Sequence, residues 1–147
     1  MKKLIFVFLT LFACTENQFS GHYLSFELRL AEDVYQPDLE EYIFYNSQQS
    51  FYLHDSTYLT NEHIDTTEII NWQDQPQVMV TLTARGRQIF SEFTRTNIGK
   101  KAAMLVDRKL VSAPLIRAEI AEGKLIIVGL FNHDEAVSIA RGILPRD

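Results

Sequence analysis

The stretch from Ile89 to Pro114, IFSEFTRTNIGKKAAMLVDRKLVSAP, writes out one supersecondary unit in order. Thr83 is placed to N-cap a helix beginning at Ala84, since its hydroxyl can accept from an orphan backbone N–H. Ile89, Phe90 and Phe93 then recur at helical spacing, with Ala84 and Gly86 below them. Gly99 follows Asn97 and Ile98 as the expected left-handed C-cap. Ala102–Val106 is an apolar run of strand length, Asp107-Arg108-Lys109 reads as a tight turn, and Leu110-Val111 continues the sheet. Pro114 lacks a ladder donor and confines that strand to an edge or an end. Any fold for this chain must therefore lay a helix against an antiparallel strand pair.

The flanking sequence extends the pattern. Leu24–Glu32 alternates, with Leu24, Phe26, Leu28 and Leu30 on one side and Ser25, Glu27, Arg29 and Ala31 on the other, predicting a half-buried strand with one wet face. Glu32–Asn46 opens as an acidic loop around Pro37, and within it Leu39–Tyr45 is read either as a short helix or as a strand. Ser47–Ser50 is a polar turn and Phe51–Leu53 a short strand. Asn61 is a cap for a one-turn helix holding Ile64. Thr66–Trp72 and Gln77–Leu82 form a hairpin across Gln73-Asp74-Gln75-Pro76. Leu125–Val128 is a continuous apolar run, which predicts a central strand. Asn132 with Glu135 three residues on forms a capping box, and Ala136, Ile139, Ala140 and Ile143 line the buried face of the helix it opens. The fold class that results is α+β: a two-layer domain, a mostly antiparallel sheet with two main helices on one face. Neither an internal repeat nor a low-complexity segment interrupts it.

Composition bounds the function. At 147 residues and 46% hydrophobic, the chain suffices for one domain with one core. Its formal net charge is −5, and loss of Lys2 and Lys3 with a cleaved leader would take it to −7. Dispersed acidic charge is the opposite of the clustered basic footprint that nucleic acid requires. The leader is read from Met1-Lys2-Lys3, a basic start, and Leu4–Phe12, an apolar segment of nine residues. A bilayer core needs about 20 residues to cross, so this is signal-peptide length. It ends Leu11-Phe12-Ala13-Cys14, like a bacterial lipobox with a small residue before the cut. Cys14 is the single cysteine. The alternative is a small buried cysteine in an uncleaved helix. A lipid-modified Cys14 gives the organisation 1–13 lipoprotein signal peptide, 14–22 polar tether (ending TENQFSGH), and 23–147 folded domain. The mature domain would then hold no cysteine and no disulfide. The expected location is the bacterial envelope, lipid-anchored on the extracytoplasmic side. Thr15, where an acidic residue could have held the protein at the inner membrane, leaves both membranes open.

Chemical motifs are sparse, and no enzyme is read from them. His54 with Asp55 and His63 with Asp65 raise a metal site against exposed turn residues, and their spacing matches no ligand pattern. His22 and His133 stand alone. Ser112 is outside a G-x-S-x-G elbow, and Gly123 and Gly129 have no phosphate-loop spacing. Glu32-Asp33 and Glu40-Glu41 read as solvated loop charges rather than an acid/base pair. No cofactor or metal is expected. The remaining candidates are the aromatics Tyr35, Tyr42, Phe44 and Tyr45, crowded into one segment. They are either ordinary packing or anchors for an extended polypeptide.

Five segments, in order, carry a family likeness. They are FELRLAED (Phe26–Asp33), FYLHDSTYLTNEHI (Phe51–Ile64), VMVTLTARGRQIFSEFT (Val78–Thr94), NIGKKAAMLVDRKLVSAPLI (Asn97–Ile116) and IAEGKLIIVGLFNHDEAVSIARGILP (Ile120–Pro145). Together they resemble the head of the large extracytoplasmic domain of SecD, the auxiliary subunit of the bacterial Sec export machinery. The likeness covers roughly Leu24–Pro145. It implies a binding module that contacts exported polypeptide or a Sec or envelope partner, through a sheet edge or the aromatic segment. The family's transmembrane helices, which harness the proton-motive force, and its base subdomain have no counterpart along these residues. Transport is therefore not expected of the chain by itself. The alternative is a structural or regulatory envelope lipoprotein reusing the head fold for an unrelated partner.

Overall fold

The computed structural model describes residues 16–21 and 23–147, so the expected leader, Cys14 and His22 lie outside the described residues. The strands are β1 (Phe26–Glu32), β2 (Glu40–Ile43), β3 (Ser50–Thr60), β4 (Ile64–Trp72), β5 (Gln75–Leu82), β6 (Lys101–Val106), β7 (Lys109–Ser112) and β8 (Lys124–Ile127). Helix α1 spans Ala84–Thr96 and α2 spans His133–Gly142. The α+β class holds, with every strand-to-strand ladder antiparallel. The strands divide into two sheets, a five-stranded one in the order β2-β3-β1-β6-β7 and a three-stranded one in the order β4-β5-β8.

The opening unit forms as its sequence dictates. The Thr83 hydroxyl accepts from the Gly86 N–H at 3.1 Å, and Phe90 and Phe93 are buried. Asp107 and Arg108 both adopt positive φ, 49° and 64°, which is the two-residue turn that matches the twist of a hairpin. Gly99 does take the left-handed conformation, at φ 89°, but its N–H donates to Ile116 O rather than back to the helix. The last carbonyls of α1 are met instead by Asn97 Nδ2 on Phe93 O and Thr96 Oγ1 on Glu92 O.

Several boundaries move for physical reasons. Residues 39–45 hold the strand β2, not a helix, and β3 is a single long strand where only Phe51–Leu53 was expected. The second hairpin turns on Gln73-Asp74 alone, both at positive φ, so Gln75 and Pro76 belong to β5. Pro76 is tolerated because it pairs only with Asn71, beyond the reach of β8, whose pairing begins at Val78. The short helical turn is 3₁₀, Asn61–His63, with Thr60 at its cap; Ile64 already starts β4. Asn61 does not cap it. Its buried amide accepts from Phe26 N–H and donates to Leu24 O and Ile143 O, tying the start of β1 to the end of α2.

The main core lies between the two sheets and both helices and includes Phe26, Leu28, Leu59, Val80, Phe93 and Ile139. The far face of β1 is not wet, as its alternation had predicted. Ala31, Phe51, Leu53, Ala103, Leu105 and Leu110 form a second core there, because the five-stranded sheet curls on itself. Register shifts in β1–β3 and β6–β7 bend it, and the edges meet where Tyr45 N–H donates to Leu110 O.

The segment expected as tether, 14–22, contains a core residue. Phe19 is fully buried and packs edge-on to Tyr45, with ring centroids 5.1 Å apart. Asn17 Nδ2 bonds Ser138 Oγ on α2 at 2.8 Å. An aromatic flanked by polar residues reads as linker when the sequence is all there is; its ring is received by Tyr45 and Lys109 of β7, while Asn17 reaches α2, all far off in the chain.

Candidate functional site

The largest departure from expectation produces the site. Leu125–Val128 was expected to be central, yet β8 is the edge of the three-stranded sheet. Leu125 and Ile127 face the core, while Ile126 and Val128 are 39% and 47% exposed. Leu82 N–H donates to Gly123 O, which fixes the alternation of the β5–β8 ladder. The peptide groups of Leu125 and Ile127 thus turn to β5, and those of Ile126 turn to the open side.

That open side faces an apolar groove of about 440 Å³ at the seam between the sheets. Phe90 and Thr94 of α1, Met104 of β6, and Leu115, Ile116 and Ile120 of the connection line it opposite β8. The far wall is fixed in place. Ala102 N–H bonds Pro114 O, Ile116 N–H bonds Lys100 O, and Ile120 N–H bonds Thr94 Oγ1. At the end of the groove, Val128 N–H donates to Ser112 Oγ at 3.2 Å, and Gly129 sits so close to β7 that a Cβ would meet Val111 O at 2.1 Å. The groove is therefore preformed, with one unpaired strand edge along it. What such an arrangement can do is accept another extended chain: main-chain groups on the edge, side chains in the groove.

The four aromatic candidates are not gathered into one surface. Tyr35 is open, 68% exposed, and packs edge-on to Tyr52. Tyr42 is half-buried, its hydroxyl taking a bond from Arg29 Nη1, with the Arg29 guanidinium 5.6 Å from its ring. Phe44 packs on Phe51 in the second core. Tyr45 packs on Phe19 and donates to Glu135, a buried carboxylate that also completes the α2 capping box. Burial, followed by the Glu135 hydrogen bond and charge, pushes the Tyr45 phenol up to about 12.

The polar candidates are engaged structurally. His54 lies 3.2 Å from Glu32, which Lys100 also meets at 3.1 Å. Burial alone would raise the Glu32 carboxyl; the bonds and charges of His54 and Lys100 outweigh it and hold it below the usual carboxylate range. His63 Nδ1 accepts from Thr60 N–H, Ser112 is fully buried, and His133 is exposed at the start of α2. Among the described residues, no three His, Cys, Asp or Glu side chains come together as a metal site. No helix among them is long and apolar enough to cross a membrane.

Sequence reasoning missed the groove residues Leu115, Ile116, Ile126 and Val128. The sequence carries no local signal for them, since a four-residue apolar run reads the same in a covered strand and in an edge strand beside a groove.

Comparison with known proteins agrees with the fold. The family model for the SecDF P1 head subdomain matches residues 35–143. The protein translocase subunit SecDF of Thermus thermophilus is 40% identical over 76 residues, covering 52% of this chain and 10% of that protein. SecD of Aquifex aeolicus is 31% identical over 131 residues, covering 82% of this chain and 26% of that protein. The chain thus spans a tenth to about a quarter of the relatives it matches. A solved structure described as "Structure and function of a membrane component SecDF that enhances protein export" superposes with a TM-score of 0.68 at 27% identity, covering 85% of this chain and 64% of that one. With the superposition, the ordered segments and the family match in agreement, the chain belongs to the SecDF P1 head subdomain family.

Proposed function

We propose that this protein is a lipid-anchored extracytoplasmic module that binds extended polypeptide, either exported chains or a segment of a Sec or envelope partner, without transport activity of its own. The observation that carries the reading is the open edge of β8 above a preformed apolar groove. Strand addition uses such an edge for affinity and the groove for side-chain choice. Tyr35, exposed on the aromatic segment, supplies a second contact. Anchoring through Cys14 follows from the lipobox-like leader and puts the module where exported chains emerge.

Photo-crosslinking in live cells from a reactive residue at 126, with a second at 35, tests the reading. Capture of secreted polypeptide or a Sec component is expected at 126. With the reactive residue moved to 115 in the groove, Ile126→Pro should abolish capture while leaving the fold intact, since the N–H removed points away from β5. Ile127→Pro removes a ladder donor and should unfold the sheet. If position 126 captures nothing while the fold is intact, the proposal fails. A single stoichiometric envelope protein, captured without client chains, would instead favour a structural or regulatory role.

A further inference from the structure

The clamp on Phe19 leaves very little slack before the folded domain. Phe19 is fully buried, its N–H bonds Asn17 Oδ1 at 2.9 Å, and Asn17 Nδ2 bonds Ser138 Oγ on α2. Only Thr15 and Glu16 separate Cys14 from Asn17. Three Cα steps reach at most about 11 Å.

What lies around the root of that leash is therefore decisive. Glu16 lines a cavity together with Leu130 and Asn132 at the start of α2. Leu130 and Asn132 also line a neighbouring cavity with Asp74 and Pro76 of the β4–β5 hairpin. The leash root, Leu130 and the hairpin tip thus share one end of the domain. Trp72, next to that tip, is 64% exposed and Leu130 is 54% exposed. Trp72 is the single tryptophan. Tryptophan combines an apolar ring with an N–H donor and is favoured at membrane–water interfaces.

We infer that this end of the domain rests on the bilayer surface, with Trp72 and Leu130 entering the interface and the two-residue leash holding them there. The inference rests on the lipid anchor at Cys14 proposed above. A leash of this reach gives an effective concentration of order millimolar or higher, so a contact too weak to recruit a free domain is still populated. The exposed carboxylates Glu16 and Asp74 stand at the same end, as does Asp134, whose carbonyl accepts from Asn17 Nδ2. Contact therefore depends on the apolar side chains and is stronger on zwitterionic than on anionic lipid.

The single cysteine allows a direct test. The chain from Cys14 onward, which carries every described element, is coupled through that thiol to a maleimide lipid in phosphatidylcholine vesicles containing brominated acyl chains. Trp72 emission should be quenched and shifted to the blue. Leu130→Ser should weaken the quenching. A Gly/Ser spacer of about 20 residues between Thr15 and Glu16 should lower it by about twofold or more. Unquenched Trp72 on fully coupled vesicles overturns the inference, and so does quenching equal with and without the spacer. Because the lipid is attached chemically, these outcomes do not depend on whether cells acylate Cys14. Mass spectrometry of the envelope form decides that separately, and an unmodified Cys14 there defeats the anchor reading.

Discussion

Phe19→Ala is the substitution that best separates a packed N-terminal segment from a tether. Phe19 is fully buried, edge-on to Tyr45, with the Lys109 ammonium 5.6 Å from its ring centroid. Truncating a buried Phe costs about 3–5 kcal/mol through lost transfer and the cavity left behind. The edge-to-face pair accounts for about 1 kcal/mol of that. The lower end applies here, because residues 16–18 reach α2 through the Asn17 side chain and can relax away from it, capping the loss at about 3 kcal/mol. For a domain of this size, that is about 12 °C in Tm, at about 4 °C per kcal/mol. In urea it is about 1.5 M in midpoint, for a slope of about 2 kcal/mol/M. Circular dichroism during heating and urea titration reads both. A loss under about 1 kcal/mol with an unchanged slope would mean that the segment is a free tether. The short leash, and the membrane contact built on it, would fall with it.

Three other positions carry sharp expectations. Asn61→Ala removes bonds to Phe26 N, Leu24 O and Ile143 O together and should cost about 3 kcal/mol by chemical denaturation, since buried groups are left unpartnered; a loss below about 1 kcal/mol would refute its joining role. The Tyr45 phenol, pushed from 10.0 to about 12, favours its neutral form in the folded protein, so its contribution is complete below pH 10 and is lost as pH rises through about 12. Tyrosinate absorbance should show one of the six tyrosines titrating late, and Tyr45→Phe should remove that phase. Gly99→Val should cost more than about 1 kcal/mol from backbone strain at φ 89° alone, as no atom lies within 4 Å of an added Cβ; an unchanged melting curve would contradict it.

Local chemistry was legible where one segment determines its own state. The Thr83 cap, the Asn132–Glu135 capping box, the Asp107-Arg108 turn and the strand pair around it form as their residues predict. The family likeness was legible for the same reason: its segments carry the order of the elements. What the sequence hid depends on partners distant in the chain. Ala31 and Arg29 looked solvent-facing because a curled sheet, closed by Tyr45 on Leu110, is not a periodicity. Phe19 looked like linker because what receives it and its neighbour Asn17, Tyr45, Lys109 of β7 and Ser138 of α2, lies far off in the chain. The apolar run at 125–128 looked central because a continuous run does not distinguish a strand covered on both sides from an edge strand beside a groove. The aromatic segment was visible as a cluster, but its division between the two cores and the surface was not.

The central claim is that β8 is a docking edge for extended polypeptide, and hydrogen exchange at the Ile126 amide tests it most directly. Its N–H faces the open side of the sheet, whereas those of Leu125 and Ile127 are in the β5 ladder. In the free protein, Ile126 should exchange far faster than its two neighbours. Addition of an unfolded segment from a secreted protein should slow Ile126 by about tenfold or more while leaving Leu125 and Ile127 unchanged, as one new main-chain bond of about 1.4 kcal/mol would require. Ile126 exchange that stays fast at saturating polypeptide would contradict the claim.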